Sequence, residues 1–221
     1  MHLLAATPGA ITDGSEAIDL GQDPADIVFL SAADTELACF SLAQDQLMKE
    51  GVNPHSVRLA SLLHMAHNMS VDLYVDDIIQ HAKLVIVRLL GGRSYFQYGV
   101  DEIVRCCAEK GILLALLPGD DQPDDELQRL STLKIEDSHR LWQYCVQGGV
   151  EKAQNFLKCA NSLLGKSFDW IEPTPLLRAG IYWTDENTLS LSDLKEKYWK
   201  ADQLVVAITF YRALMQGANT S

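Results

Sequence analysis

Short apolar runs alternate along this chain with longer stretches in which apolar residues recur every three or four positions. Residues 3–6, 27–30, 57–60, 84–90 and 112–117 are each of strand length. Their mostly continuous apolar character predicts strands buried on both faces. Between them, residues 35–50 place Leu37, Phe40 and Leu47 near one helical face. Residues 95–110 do the same with Val100, Ile103, Val104 and Cys107, and residues 71–81 read as a further helix. Gly51 and Gly111 stand where C-terminal glycines end helices. Strands alternating with helices at this spacing predict βαβ units, a parallel sheet and right-handed crossovers. Residues 1–120 are therefore expected to form a doubly wound α/β head domain, and the pattern leaves flavodoxin-like and Rossmann-like strand order both open.

The acidic, turn-forming stretch GDDQPDDE at 119–126 then interrupts the pattern. Two helices are expected between 127 and 164, separated by Gly148-Gly149, so residues 121–170 read as a helical extension. Beyond a proline-bearing linker at 168–175 come a short strand at 179–183, a helix at 192–199 with Ser192 as N-cap, and the apolar run LVVAITF at 204–210. Residues 171–221 thus read as a linker and the first strands of a second α/β unit. The run at 204–210 needs cover on both faces and nothing after it supplies a helix, so the chain is expected to be cut from a longer one. Left uncovered, it is expected to promote dimerisation or aggregation.

Net charge changes the picture by exclusion. At −12, the chain repels nucleic acid and anionic membrane surfaces, and a basic partner is the easier companion. Its five cysteines form no CxxC pair and sit in apolar, helix-like stretches, as reduced thiols do. With no run of about 18 apolar residues and no basic n-region or cleavage site at the start, the chain reads as cytoplasmic.

Ligands of open α/β sheets bind outside the carboxyl ends of the strands, which directs attention to residues 7–9, 31–34, 62–69 and 91–96. In the last of these, Gly91, Gly92, Arg93 and Ser94 offer backbone N–H groups and a guanidinium that could hold an anion. They lack GxGxxG and a P-loop lysine, so a tight turn with Ser94 as helix cap is the simpler reading. His64 and His67, three apart with Asp72 nearby, could share a metal ion, but no third ligand is evident and solvated histidines are the simpler reading. The acidic loop at 119–126 does not have calcium-loop spacing and reads as solvated. No nucleophile signature identifies a catalytic residue.

Beyond physics, MHLLAATPGAITDG, EAIDLGQDPADIVFLSAADTEL, MSVDLYVDDIIQHAKLVIVRLLGG and YFQYGVDEI resemble the start of the CobN-type large subunits of aerobic cobaltochelatase. LLPGDDQPDDEL, LWQYCVQGGVEKAQNFL, PLLRAGIYW and VVAITFYRALMQGANTS keep that family's order across nearly the whole chain. The family is similar to the H subunit of magnesium chelatase, and its members are several times longer than this chain.

The resemblance implies a part in ATP-dependent insertion of Co2+ into a corrin, hydrogenobyrinic acid a,c-diamide, in cobalamin biosynthesis. Cobalt and corrin are then substrates, and ATP acts through two smaller AAA+-type partner subunits. No tightly bound cofactor is expected on this segment. A chelatase must hold the macrocycle, take protons from its nitrogens and deliver a partly dehydrated cation, work suited to carboxylates and imidazoles. Those groups are expected downstream, leaving this part as a head that shapes access or contacts the rest of the large subunit and the partners. Were it to touch the corrin, Gly91 and Gly92, with Arg88 or Arg93 on the ring's carboxylates, would form the contact, and His64 and His67 would be distant metal candidates. The rivals are a magnesium-chelatase-type subunit, a noncatalytic docking domain, and a freestanding flavodoxin-like binding protein.

Overall fold

A computed structural model describes residues 16–176, 179–183, 186–200, 202–211 and 214. The apolar runs become β1 (Ile27–Ser31), β2 (Val57–Ser61), β3 (Leu84–Leu89) and β4 (Leu113–Pro118). These strands pair in parallel in the order β2-β1-β3-β4. That is the flavodoxin-like order, which resolves the two alternatives among the described residues. Residues 3–6 and the loop at 7–9 lie outside them.

Alternate side chains of the strands feed two cores. Val28, Leu30, Val85 and Val87 point into one, where they meet α2 (Asn68–Asp77) and α3 (Gln97–Lys110) through Val71, Tyr74, Val100 and Ile103. Ile27, Phe29, Leu84 and Ile86 point into the other, against α1 (Asp34–Lys49), α5 (Ile135–Gln147) and α6 (Val150–Leu163). The helices expected as an extension therefore complete the second layer on the sheet. Phe156 from α6 packs edge-on against Phe29 and Phe40, with ring centroids 5.7 and 4.7 Å apart.

The linker is strapped back onto these helices. Tyr144 Oη donates to Ile171 O at 2.5 Å, and Ile171 N donates to Asn155 Oδ1 at 2.8 Å. Leu176 N donates to Gln147 Oε1 at 2.8 Å, and Arg140 pairs with Glu172 at 3.0 Å while lying 4.8 Å from the Trp170 ring centroid.

Farther on, β5 (Ile181–Trp183) and β6 (Glu186–Leu189) form an antiparallel hairpin, followed by α7 (Leu191–Lys197). The cap of α7 is Ser190, not Ser192. Its hydroxyl accepts from Asp193 N at 3.1 Å while Asp193 Oδ2 accepts from Ser190 N at 3.1 Å, a reciprocal capping box. Residues 204–210 are not a strand here, contrary to expectation: a strand exists through hydrogen bonds to a neighbour, and no described segment pairs with them. No helix among the described residues is long and apolar enough to cross a membrane.

Candidate functional site at the carboxyl edge of the sheet

The connections leaving β1 and β3 run to opposite faces, so the crevice between these strands is the switch point where such folds bind ligands. The register puts Ser31 and Arg88 side by side at its floor. Arg88 is only 9% exposed. Its Nη1 is bonded to Glu36 Oε1 at the start of α1, Nε donates to Pro118 O at 3.2 Å and Nη2 to Gly119 O at 2.9 Å. Ser31 Oγ donates to the other Glu36 oxygen at 2.6 Å and accepts from Ala33 N at 3.1 Å. Burial opposes the charge on Arg88, and the acidic groups beside it, Cys145 and Glu36, more than offset this, raising its pKa. Burial also pushes the Cys145 thiol far up.

Gly91 and Gly92 make the turn after β3 with φ of 89° and 72°, a region that favours glycine. A side chain on Gly92 would come within 3.0 Å of Asp124 Oδ2. Asp124 is itself the cap of α4 (Asp125–Leu130), accepting from Glu126 N and Leu127 N at 2.9 and 3.0 Å. Arg93 bridges α3 to α4. Its Nε and Nη2 reach Asp101 Oδ1 at 3.0 and 2.7 Å, and Nη1 reaches Glu126 at 3.1 Å. These bonds, to Asp101 first and Glu126 second, raise its pKa. Ser94 does not cap a helix. It lies in a 3-10 turn, Arg93–Phe96, before α3, with Oγ 3.4 Å from Gly91 O.

Of the sequence candidates, the structure joins Arg88 to Glu36 and Gly119, and joins Gly92 and Arg93 to the acidic loop. It engages both guanidinium groups with protein partners. His64 is exposed, whereas His67 caps α2 by accepting from Met69 N at 3.1 Å, and Asp72 accepts from Tyr98 Oη at 2.6 Å. The helix accordingly begins before Val71 and ends at Asp77, with a separate 3-10 turn at Ile79–His81. Among the described residues, no three His, Cys, Asp or Glu side chains converge as a metal site. Sequence reasoning missed Glu36, whose pairing with Arg88 spans 52 positions. It read Gly119 only as a turn, whereas a Cβ there would lie 2.5 Å from the Leu90 backbone.

A cleft of about 180 Å3 lies at the end of β4 between α4 and α5, lined by Trp142 and by the buried Ser138 hydroxyl, which has no hydrogen-bond partner among the described residues. A larger hollow of about 580 Å3 adjoins it, sharing Ile135 and His139 and bounded also by Arg140, Glu172 and Pro173.

No family model matches the chain. It is 42% identical over its whole length to the aerobic cobaltochelatase subunit CobN of a Sinorhizobium species and 38% identical to that of Pseudomonas aeruginosa. It spans only 18% and 17% of those relatives. An uncharacterised protein of Methanocaldococcus jannaschii is 25% identical over 84% of the chain and 15% of its own length. Among solved structures, the catalytic subunit of cobaltochelatase from Mycobacterium tuberculosis matches 69% of the chain and 11% of its own length with a TM-score of 0.52 and 22% identity, a likeness of fold. Carried from end to end at about two residues in five, the identity to the two named subunits makes this chain a member of the CobN-type large-subunit family of aerobic cobaltochelatase, matching less than a fifth of its relatives' length.

Proposed function

We propose that this chain is the head portion of a large subunit that inserts Co2+ into hydrogenobyrinic acid a,c-diamide at the expense of ATP hydrolysed by two AAA+-type partner subunits in the cytoplasm, and that the head serves docking and architecture rather than the chemistry. The observation that carries the family reading is 42% identity across the whole chain to a cobaltochelatase subunit.

The geometry supports the noncatalytic role. A head that held the ring's peripheral carboxylates would need guanidinium groups facing solvent with coordination to spare. Arg88 is instead buried on Glu36 and two carbonyls, and Arg93 clamps α3 to α4 through Asp101 and Glu126.

Calorimetric titration of the chain with hydrogenobyrinic acid a,c-diamide, with and without Co2+ and alongside Arg93→Ala, tests this division. The expected result is no saturable heat from the chain, with normal binding by a full-length large subunit. Saturable binding weakened by Arg93→Ala would return part of the macrocycle site to the head.

A further inference from the structure

The run LVVAITF is the most exposed apolar segment among the described residues. Leu204 is fully exposed, and Val206 and Ile208 are 84% and 82% exposed. Around it the side chains are also apolar and open. Tyr182 meets Phe210 edge-on at 6.1 Å, and Trp183 stacks on Tyr198 at 4.7 Å, yet all four rings stay more than a third exposed. A contiguous apolar surface of this kind marks a contact on a folded protein. The backbone makes the same point: residues 204–210 have strand composition and join no ladder among the described residues, where a neighbouring strand could pair with them.

We infer that residues 204–210 are a strand of a second sheet whose other strands come from the remainder of the same large subunit, and that the β5–β6 hairpin and α7 form one wall of that second core. The named relatives place more than four fifths of their length outside the matched part, ample chain to supply a cover. The continuous apolar pattern, with side chains of both parities apolar, demands burial on two faces, which an interior strand of a parallel sheet receives and a surface docking strand does not. The strap from Tyr144, Asn155 and Gln147 to residues 171–176 fixes where the chain leaves the α5–α6 layer. The inference rests on reading the chain as part of a large subunit and not on which metal or ring that subunit handles.

Backbone amide exchange followed by mass spectrometry tests it. In this chain alone, residues 204–210 are expected to exchange without protection at both low and high protein concentration. The aligned segment of the full-length Sinorhizobium subunit is expected to be protected by about a hundredfold or more, as core strands are. Rapid exchange in the full-length subunit would overturn the inference. So would protection in the isolated chain, whether it rises with concentration alongside a dimer mass, which would make a second copy the occupant, or is independent of concentration. Metal insertion by the full-length subunit with its partners is assayed separately, so loss of the activity reading leaves this test standing.

Discussion

Residues 84–89 and 204–210 are written in nearly the same apolar vocabulary, and their fates are opposite. In LVIVRL every side chain is buried, because β3 has a strand on each side and a helical layer above and below. In LVVAITF the large apolar side chains are exposed, from 42% at Phe210 to completely at Leu204. The difference lies in the neighbours rather than in the segments. Apolar composition states that burial is favourable, by roughly 25 cal/mol per Å2, and only a partner surface realises it.

The sharpest way to separate the two regions is to cut into the shared core. Phe156→Ala removes a ring buried among Phe29, Phe40 and Tyr144, and is expected to cost about 3–5 kcal/mol in urea unfolding. A cost below about 1 kcal/mol would mean that α6 is not a true layer on the sheet. Next comes the switch point. Glu36→Ala leaves Arg88 buried with two carbonyl partners and no counter-charge, for an expected loss of about 3 kcal/mol. Wild-type stability in that variant would show Arg88 free to leave the crevice and would revive it as a ligand group.

The opposite edge of the sheet titrates. Lys83 Nζ at 2.9 Å holds the Asp26 carboxyl well below the usual carboxylate range; partial burial opposes this, and His55 and Ser56 add to it. Because the folded pKa is the depressed one, the contribution is fully present above the ordinary carboxylate value of about 4 and is lost as pH falls below it. Asp26→Asn should therefore flatten the acid side of the stability profile while leaving its slope above about pH 6 unchanged. A parallel shift at all pH values would assign Asp26 a purely hydrogen-bonding role. Smallest of all is Ile208→Asp. In the isolated chain it should move stability by no more than about 0.5 kcal/mol, since the side chain touches little. A loss like that of Phe156→Ala would show the segment already packed in the isolated chain.

The layered core is legible because burial on two faces leaves continuous apolar runs, and the four strands of the parallel sheet lie within a residue or so of their expected ends, whereas β6, short and largely polar, carries no such run. Cap positions were harder. His67 is an uncommon cap, so the start of α2 reads three residues late, and the cap expected at Ser192 falls instead on Ser190, whose S-x-x-D spacing to Asp193 carries the capping box. That α5 and α6 cover the sheet follows from which faces pair, and periodicity does not carry that information. Arg88 stood out as a cation at the end of β3. Its partner Glu36 could be found only with the register of β1 against β3 in hand. Residues 204–210 illustrate the limit most plainly, since strand propensity is a statement about fit to a neighbour.

The strap at residues 169–176 also has a mechanical meaning. Load arriving through the chain beyond residue 176 first meets the Gln147, Asn155, Tyr144 and Arg140 attachments. These attachments sit on two adjacent helices, α5 and α6, and not on the parallel ladder behind them. In mechanical terms, the strap grips the sheet through the α5–α6 face rather than through the end of a strand.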